Sequence, residues 1–214
     1  MGHPTVTEAP LTLRGCLVYK EFLDRSAQVR LLEEVRDVTR AAPLRRYATR
    51  RGQMSVAMSA AGALGWVSDR RGYRYDSTGP GGPWPEIPGG ALAVWRAVAG
   101  VGRDPDSCLV NFYGEGARMG MHQDRDEADT SWPVVSISLG DPALFRVGGV
   151  ETRTPSESLW LDSGDVAVLA GDARLAWHGI DRIRFGASSL LSQGGRINLT
   201  LRVAGQGTRL QQPE

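Results

Sequence analysis

Residues 119–127, MGMHQDRDE, carry a histidine and an aspartate two positions apart. In a β-strand, positions i and i+2 point to the same side of the sheet, so His122 and Asp124 would aim an imidazole and a carboxylate at one point. The chain has three histidines. Because His3 stands in the N-terminal segment, His178 in RLAWHGI is the candidate for a third ligand. The alternative for MGMHQDRDE is an exposed, charged loop beside the end of a strand.

Two histidines and one carboxylate form the facial ligand set of non-haem Fe(II) oxygenases. The same ligands also serve catalytic zinc, so the residue types alone leave the metal open. A zinc-dependent hydrolase would need a general base, and no Glu stands near the candidate ligands as an obvious one. The pattern predicts a metal site at His122, Asp124 and His178.

The segment GRINLTLRV supplies independent evidence because its residues alternate in polarity. One face would be apolar, and the other would carry Arg196, Asn198, Thr200 and Arg202. That face could be solvated, as in many sheets. If it points into a closed β-core, unpaired arginines are prohibitively costly and require an anion, and their spacing suits a dicarboxylate. Asn111 and Tyr113, again at i and i+2, would add hydrogen-bond donors.

The elements that must position these residues fall into two parts along the chain. DRSAQVRLLEEVRDVTRAAP predicts an amphipathic helix capped by Asp24 or Ser26, and ALAVWRAVAGV predicts a second helix. From residue 107 onward, short segments of period two predict an antiparallel sandwich or barrel. These segments are SCLVNFY, VVSISLG, ALFRV, SLWL, DVAVLA, RLAWHG and RINLTLRV. The expected fold class is therefore α+β.

Length and composition restrict the class of protein. The 214 residues suffice for one domain, and the hydrophobic content of 41% and charged content of 23% are typical of globular proteins. A net charge of +1 neither requires nor excludes a nucleic-acid partner. No apolar run approaches a membrane span, no signal peptide is recognisable, and Cys16 and Cys108 suit free thiols in a reducing cytosol. We expect a cytoplasmic monomer with no membrane partner.

Four motifs resemble the AlkB family of Fe(II)- and 2-oxoglutarate-dependent dealkylases: NFYGEGARMGMHQDRDE, VVSISLGDPALFRVGG, GDVAVLAGDARLAWHGI and RINLTLR. The upstream segments MSVAMSAAGALGW, RGYRY and PWPEIP are similar to the bacterial alkylation-repair members. The resemblance runs from about residue 45 to about residue 203. After VGGV, however, Glu151 and Thr152 stand where those members place basic residues.

The resemblance implies a double-stranded β-helix (jelly-roll) core with Fe(II) bound by His122, Asp124 and His178. Arg196 would pair with the distal carboxylate of 2-oxoglutarate, helped by Tyr113. The remaining cosubstrate contacts would come from Asn111, Asn198 and Arg202, the last near the metal-chelating end. With O2, this cofactor set would remove alkyl groups from nucleobases in DNA, or alternatively in RNA, while 2-oxoglutarate is decarboxylated.

The resemblance also divides the chain into a tail at 1–15 and one dioxygenase domain at 16–214. Within the domain, 48–88 would be a nucleotide-recognition lid and 107–203 the β-helix core. Trp66 would stack on a flipped alkylated base opposite His122, Asp126 would contact the base edge, and Met58 and Tyr73 would line the pocket. Phosphates could be bound by Arg45, Arg46, Arg50, Arg51, Arg70, Arg71 and Arg74.

Two alternatives remain open from the sequence. The chain could be a non-catalytic β-barrel module that binds nucleic acid, in which case the polar face of Arg196 and Arg202 would lack a ligand. It could also be an oxygenase that acts on alkylated RNA or on a protein-borne group.

Overall fold

The computed structural model describes residues 9–49, 52–69, 72–151 and 155–205 of the chain. In these ranges, no helix is long and apolar enough to cross a membrane. Several positions considered above lie outside the described residues, namely His3, Arg50, Arg51, Arg70, Arg71 and Thr152.

Both predicted helices are present. Helix α1 spans Arg25–Ala41, and the Asp24 carboxylate caps it by accepting a hydrogen bond from the backbone N–H of Ala27 at 2.7 Å. Helix α2 spans Gly89–Val98, and its first turn is joined to α1 because Gly90 N–H donates to the Glu34 carboxylate at 2.9 Å. The apolar faces of both helices pack into one hydrophobic core against the outer face of the major sheet.

The major sheet has seven antiparallel strands in the described part of the chain. Their spatial order is β1 (Leu11–Leu13), β2 (Cys16–Tyr19), β15 (Val166–Leu169), β12 (Val134–Gly140), β17 (Arg196–Arg202), β10 (Ser107–Tyr113) and β5 (Val56–Gly62). The central strand β17 is buried over all seven residues. Its residues Ile197, Leu199 and Leu201 pack toward the helices, so its polar residues face the opposite way, into the β-core.

A second, minor sheet has four antiparallel strands in the order β11 (Met119–His122), β16 (His178–Ile183), β13 (Ala143–Val147) and β14 (Glu157–Leu161). Its apolar residues share a second hydrophobic cluster with the inner face of the major sheet. Two facing antiparallel sheets with helices on one outer face form a double-stranded β-helix of the α+β class, which confirms the expected fold.

Among the described residues, three two-stranded hairpins lie outside both sheets. They are β3 (Ala48–Thr49) with β4 (Gly52–Gln53), β6 (Gly65–Asp69) with β7 (Gly72–Asp76), and β8 (Thr78–Gly79) with β9 (Gly82–Pro83). The Trp84 ring packs so closely on Gly65 and Gly79 that a Cβ at either position would lie 2.2–2.5 Å from it. The Trp84 indole N–H also donates to the Asp76 carbonyl at 2.9 Å, so this ring ties the two later hairpins together.

The structure differs from several of the predicted boundaries. Part of the expected tail, Leu11–Leu13, is the edge strand of the major sheet, and Val56–Gly62, inside the expected lid at 48–88, pairs with β10 in the same sheet. Strands of the β-core therefore also come from outside 107–203. RLAWHG was predicted as a strand, but a 3₁₀ turn at Gly171–Ala173 precedes it, and β16 begins only at His178.

Candidate active site

A cavity of about 430 Å³ lies between the two sheets and extends to the β6–β7 hairpin. It is lined by residues from β10, β12 and β17 of the major sheet and from β11, β13 and β16 of the minor sheet. All twelve candidate site residues line this one cavity: Met58, Trp66, Tyr73, Asn111, Tyr113, His122, Asp124, Asp126, His178, Arg196, Asn198 and Arg202.

His122, Asp124 and His178 meet at one wall of the cavity. The two histidines are directly opposed across the β11–β16 pair, with ring centroids 4.5 Å apart. The Asp124 carboxylate lies between them, 3.6 Å from each Nε2 atom. Contrary to the expectation of a shared strand, β11 ends at His122 and Asp124 lies in the following loop. One ligand atom from each residue falls within 4.8 Å of the others, which is close enough for one metal ion.

The orientation of both imidazoles is set by the backbone. His122 Nδ1 donates to the Gly120 carbonyl at 2.9 Å, and His178 Nδ1 donates to the Ala176 carbonyl at 3.0 Å. With Nδ1 occupied, each ring presents Nε2 to the shared point, as metal-binding histidines commonly do. The glycine at position 179 lets β11 and β16 lie this close together, because a Cβ there would be 2.7 Å from the Met119 carbonyl oxygen.

The charges around this wall favour an ionised Asp124 and a neutral His178. Burial alone would raise the pKa of the Asp124 carboxyl, but Arg202 and the two imidazoles outweigh it and hold that pKa well below its usual range. Burial lowers the pKa of His178 to about 4, so its ring is neutral at pH 7. For His122, burial is outweighed by the Asp124 contact, and the net pKa is raised.

Arg202 is buried and ion-paired with two carboxylates, although its Nε and Nη1, like those of Arg196, have no hydrogen-bond partner in the described structure. Its Nη2 donates to Asp124 Oδ2 at 2.7 Å, and its Nε lies 2.9 Å from Glu127 Oε1. Burial would lower its pKa, but these carboxylates raise the net value. The expectation that both arginines of β17 need an added anion is therefore wrong for Arg202.

Arg196, at the other end of β17, is only 1% exposed and makes no ion pair with a described carboxylate. Its one side-chain hydrogen bond in the described chain runs from Nη2 to Ser138 Oγ at 2.9 Å, while Nε and Nη1 have no partner. Burial lowers its pKa to about 10. Tyr113 lies opposite Arg196 in the β10–β17 register, and burial raises the Tyr113 pKa to about 12, so its hydroxyl stays protonated.

Asn111 and Asn198 lie opposite each other in the middle of the same strand pair. The Asn198 side-chain amide donates to Oγ of Ser136 on β12 at 2.7 Å, and this bond fixes the orientation of the Asn198 side chain. The amide oxygen of Asn111 is buried and has no hydrogen-bond partner in the described structure. Buried polar atoms without partners are uncommon, so this amide oxygen is free to accept a hydrogen bond in the cavity.

These observations fit both a metal ion with open coordination positions and a bound dicarboxylate. Fe(II) is commonly bound by two imidazoles and one carboxylate, and here these three groups lie on a wall that faces the cavity. The unpaired Arg196 guanidinium supplies the buried cation that one end of a dicarboxylate requires.

The outer part of the cavity is aromatic. Trp66 on β6 stacks on Tyr73 of β7 with centroids 5.2 Å apart and planes 21° from parallel. Tyr47 meets the Trp66 ring edge-on at 5.5 Å. The Trp66 indole N–H donates to Asp126 Oδ2 at 3.0 Å, so Asp126 already has a partner within the chain. Met58 is almost wholly buried, whereas Tyr73 is 60% exposed at the rim.

Sequence reasoning missed three residues of this region. Glu127, which was grouped with surface charge, is buried between Arg202 and Arg174. Arg174 carries no sequence signal that we recognise. Tyr75 lies across from Trp66 in the β6–β7 register and could have been found, because it follows Tyr73 at i+2 and so faces the same side.

Comparisons with known proteins agree on one family. The model of the 2OG-Fe(II) oxygenase superfamily matches residues 15–202. The alpha-ketoglutarate-dependent dioxygenase AlkB homolog of Caulobacter vibrioides is 56% identical over 199 residues, covering 91% of this chain and 90% of that protein. A DNA N(6)-methyladenine demethylase of Arabidopsis thaliana, ALKBH1D, is 42% identical over 108 residues, covering 46% of this chain and 24% of that protein. The solved structure of OsALKBH1 superposes with a TM-score of 0.76 at 30% identity, covering 91% of this chain and 99% of that one.

Proposed function

The chain belongs to the AlkB family of the 2OG-Fe(II) oxygenase superfamily, and we propose that it repairs DNA by oxidative dealkylation of base nitrogens. It is a dioxygenase whose cofactors are Fe(II), 2-oxoglutarate and O2. Bound Fe(II) would let O2 oxidise both partners, one oxygen atom entering succinate as 2-oxoglutarate loses CO2 and the other entering the alkyl group, which would leave as an aldehyde. The observation that carries the proposal is a single cavity that joins the three metal-ligand candidates, an unpaired buried arginine and an aromatic rim.

We assign Fe(II) to His122, Asp124 and His178. The assignment is supported by the 3.6 Å separations of the carboxylate from both Nε2 atoms and by the backbone bonds that occupy both Nδ1 atoms. Arg202 donates a hydrogen bond to one oxygen of Asp124, so the orientation of that carboxylate is set before any metal binds.

We assign the distal carboxylate of 2-oxoglutarate to Arg196, with the protonated Tyr113 hydroxyl as a second donor. The buried guanidinium has donors to spare, and a carboxylate would offset the cost of burying its charge. Asn111 and Asn198 lie between Arg196 and the metal wall and would contact the middle of the molecule. Arg202 would act near its metal-chelating end while it stays paired with Asp124.

The base-binding half of the proposal assigns Trp66, Tyr73, Met58 and Asp126 to the alkylated base. A base nitrogen inside a duplex is out of reach, so the nucleotide must be flipped into the cavity or be unpaired already. Stacking on Trp66 would contribute roughly 1–3 kcal/mol. Asp126 would exchange its bond to the Trp66 indole for a bond to the base edge, and His122 would lie on the opposite side of the base.

The lid at 48–88, without its strand β5, remains part of the proposal as the nucleotide-binding segment. Just before the lid, the exposed Arg45 and Arg46 could bind phosphates. Arg74 within the lid is already paired with Asp69 and Asp76. We further propose a monomer, because one chain supplies every residue assigned to the cavity, and a cytoplasmic location, because Cys16 and Cys108 are buried free thiols. Sedimentation equilibrium and cell fractionation test these two points.

The decisive experiment is an anaerobic titration with Fe(II) and 2-oxoglutarate, followed by the visible metal-to-ligand charge-transfer band of the chelate. We expect the band in the wild type and its loss in Asp124→Ala. Asp104→Ala, which removes an exposed carboxylate paired with Arg96, is the matched control and should keep the band. A folded wild-type protein without a band would contradict the proposal and favour the non-catalytic binding module.

The substrate class is tested by aldehyde release from N-methylated DNA and RNA oligonucleotides and from methylated peptides. An oligonucleotide that is a substrate should stimulate 2-oxoglutarate decay. We expect Trp66→Ala to lose that stimulation, because the stacking surface is gone. Stimulation by peptides alone would contradict a nucleic-acid substrate, and equal turnover of DNA and RNA would widen the proposal to both.

A further inference from the structure

The β6–β7 hairpin forms a sheet of its own and is joined to the β-core by two side-chain hydrogen bonds seen among the described residues. The Trp66 indole N–H donates to Asp126 Oδ2 at 3.0 Å, and the Tyr75 hydroxyl donates to Glu127 Oε1 at 3.1 Å. The two acceptors are consecutive residues that follow Asp124 by two and three positions. Besides the packing of β6 on β5 and β10, the hairpin is therefore hydrogen-bonded to the same loop that supplies the carboxylate of the metal-ligand set.

Glu127 has a side chain that is only 1% exposed, and it lies between two buried arginines. Its Oε1 is 2.9 Å from Arg202 Nε, and its Oε2 is 3.2 Å from Arg174 Nη2. Oε1 is thus shared by Arg202 and the Tyr75 hydroxyl. Both contacts are ion pairs without hydrogen-bond geometry, but a buried charge is costly to separate from its counter-charge, so Glu127 stabilises the positions of both guanidinium groups.

The same two arginines hold Asp124. Arg202 Nη2 donates to the Asp124 side chain at 2.7 Å, and Arg174 Nη1 donates to its backbone carbonyl at 2.6 Å. Arg174 Nε also donates to the Trp132 carbonyl at 2.6 Å, which anchors it beyond the loop. A continuous chain of polar contacts therefore runs from the hairpin through Glu127 to both the side chain and the backbone of Asp124.

We infer that Glu127 is a positioning residue that couples closure of the β6–β7 hairpin over nucleic acid to the orientation of the Asp124 carboxylate at the metal. This inference rests on the proposed function. With the hairpin closed, the Tyr75 hydroxyl and Arg202 share Glu127 Oε1, which fixes the arginine that holds Asp124. By thermodynamic linkage, loading of the metal centre and binding of nucleic acid must then favour each other by the same factor.

The test measures the affinity of the protein for an N-methylated single-stranded oligonucleotide by fluorescence anisotropy under anaerobic conditions. The affinity of the metal-free protein is compared with that of the protein loaded with Fe(II) and 2-oxoglutarate. Because O2 is absent, no turnover occurs. In the wild type we expect loading to tighten oligonucleotide binding by about fivefold or more. In Tyr75→Phe, which removes only the hydroxyl, we expect that factor to fall close to one.

Tyr19→Phe is the matched control, because Tyr19 lies on β2 away from the cavity, and it should keep the wild-type factor. The reciprocal measurement, the effect of the oligonucleotide on the apparent Fe(II) affinity from the charge-transfer band, must give the same factor. Glu127→Gln keeps an acceptor for Tyr75 but removes the charge that holds both arginines, and it should also lose the coupling. Circular dichroism checks that each variant is folded.

Several outcomes overturn the inference. If the band forms and the oligonucleotide binds, but the wild type shows no coupling or Tyr75→Phe or folded Glu127→Gln retains it, the inference is wrong and the proposed function stands. If no band forms, or no oligonucleotide binds in any state, the proposed function itself fails, and the inference fails with it.

Discussion

The two ends of strand β17 carry the same residue type in opposite electrostatic circumstances. Arg196 and Arg202 project into one cavity from one strand, and both are buried. Arg202 has two carboxylates within 2.9 Å, and its net pKa is raised. Arg196 has a single serine hydroxyl, and burial lowers its pKa to about 10.

Arg202 is a structural cation that is paired within the protein, whereas Arg196 is available to pair with a ligand. Arg202 offsets its burial inside the fold and thereby holds Asp124 in place. Arg196 has no ion pair with a described carboxylate to offset the burial of its charge, a cost that an incoming carboxylate can offset. Both arginines are buried on the same face of one strand, so the neighbouring carboxylates distinguish the two.

The largest expected effect is a difference in stability between Arg202→Met and Arg196→Met. Removing Arg202 leaves Asp124 buried without its cation and should cost about 3–5 kcal/mol in the free energy of unfolding. Arg196→Met strands no carboxylate and should stay within about 1 kcal/mol of the wild type. Urea unfolding of the metal-free proteins measures both values.

Arg36→Met serves as the control for that comparison, because Arg36 forms an exposed pair with Glu33 on α1. Its unfolding free energy should change by no more than about 0.5 kcal/mol. Equal losses for Arg196 and Arg202 would show that the two ends of β17 do not differ as described.

The second effect concerns stabilisation by 2-oxoglutarate. At one hundred times its Kd, in the presence of anaerobic Fe(II), 2-oxoglutarate should stabilise the wild type by about 2.7 kcal/mol. Arg196→Met should lose most of this gain at the same concentration, because the distal carboxylate has lost its cation. Arg196→Lys keeps the charge but not the planar fork and should give an intermediate value. Thermal unfolding measures the gain, and an undiminished shift in Arg196→Met would refute the assignment.

The smallest effect compares two buried serines near the two ends of β17. Ser138→Ala removes the only hydrogen bond found for the Arg196 side chain and should cost about 1.5 kcal/mol. Ser107 lies opposite Arg202 in the β10–β17 register, and its hydroxyl has no partner in the described structure. Ser107→Ala should therefore be close to neutral in the same unfolding experiment. A larger loss for Ser107→Ala would mean that the hydroxyl of Ser107 has a partner we have not identified.

Strands with a regular alternation were predicted to the residue, and irregular segments were not. The segments SCLVNFY, VVSISLG and ALFRV coincide with β10, β12 and β13, because side chains of different character on the two faces of a strand identify the strand and favour one register. RLAWHG failed because a short 3₁₀ turn and a loop carry no period. The strand at Leu11–Leu13 was missed because three residues are too short for a pattern.

The candidate site was predicted less evenly. Side-chain spacing placed His122, Asp124 and the polar face of β17 in one cavity, although Asp124 reaches it from a loop instead of a strand. Glu127 was misjudged as surface charge, because its burial depends on Arg174 and Arg202, which are far from it along the chain. No local pattern reports such a contact.

The sequence by itself determined which residue types face inward along each strand, since side-chain direction in a strand follows from backbone geometry alone. It thereby determined the ligand candidates and the two inward arginines. Only the tertiary structure decided which arginine is paired, because Asp124 and Arg202 lie 78 positions apart in sequence and meet only when the two sheets face each other. Ion pairing depends on distances of a few ångströms, and those distances are set by the packing of the sheets.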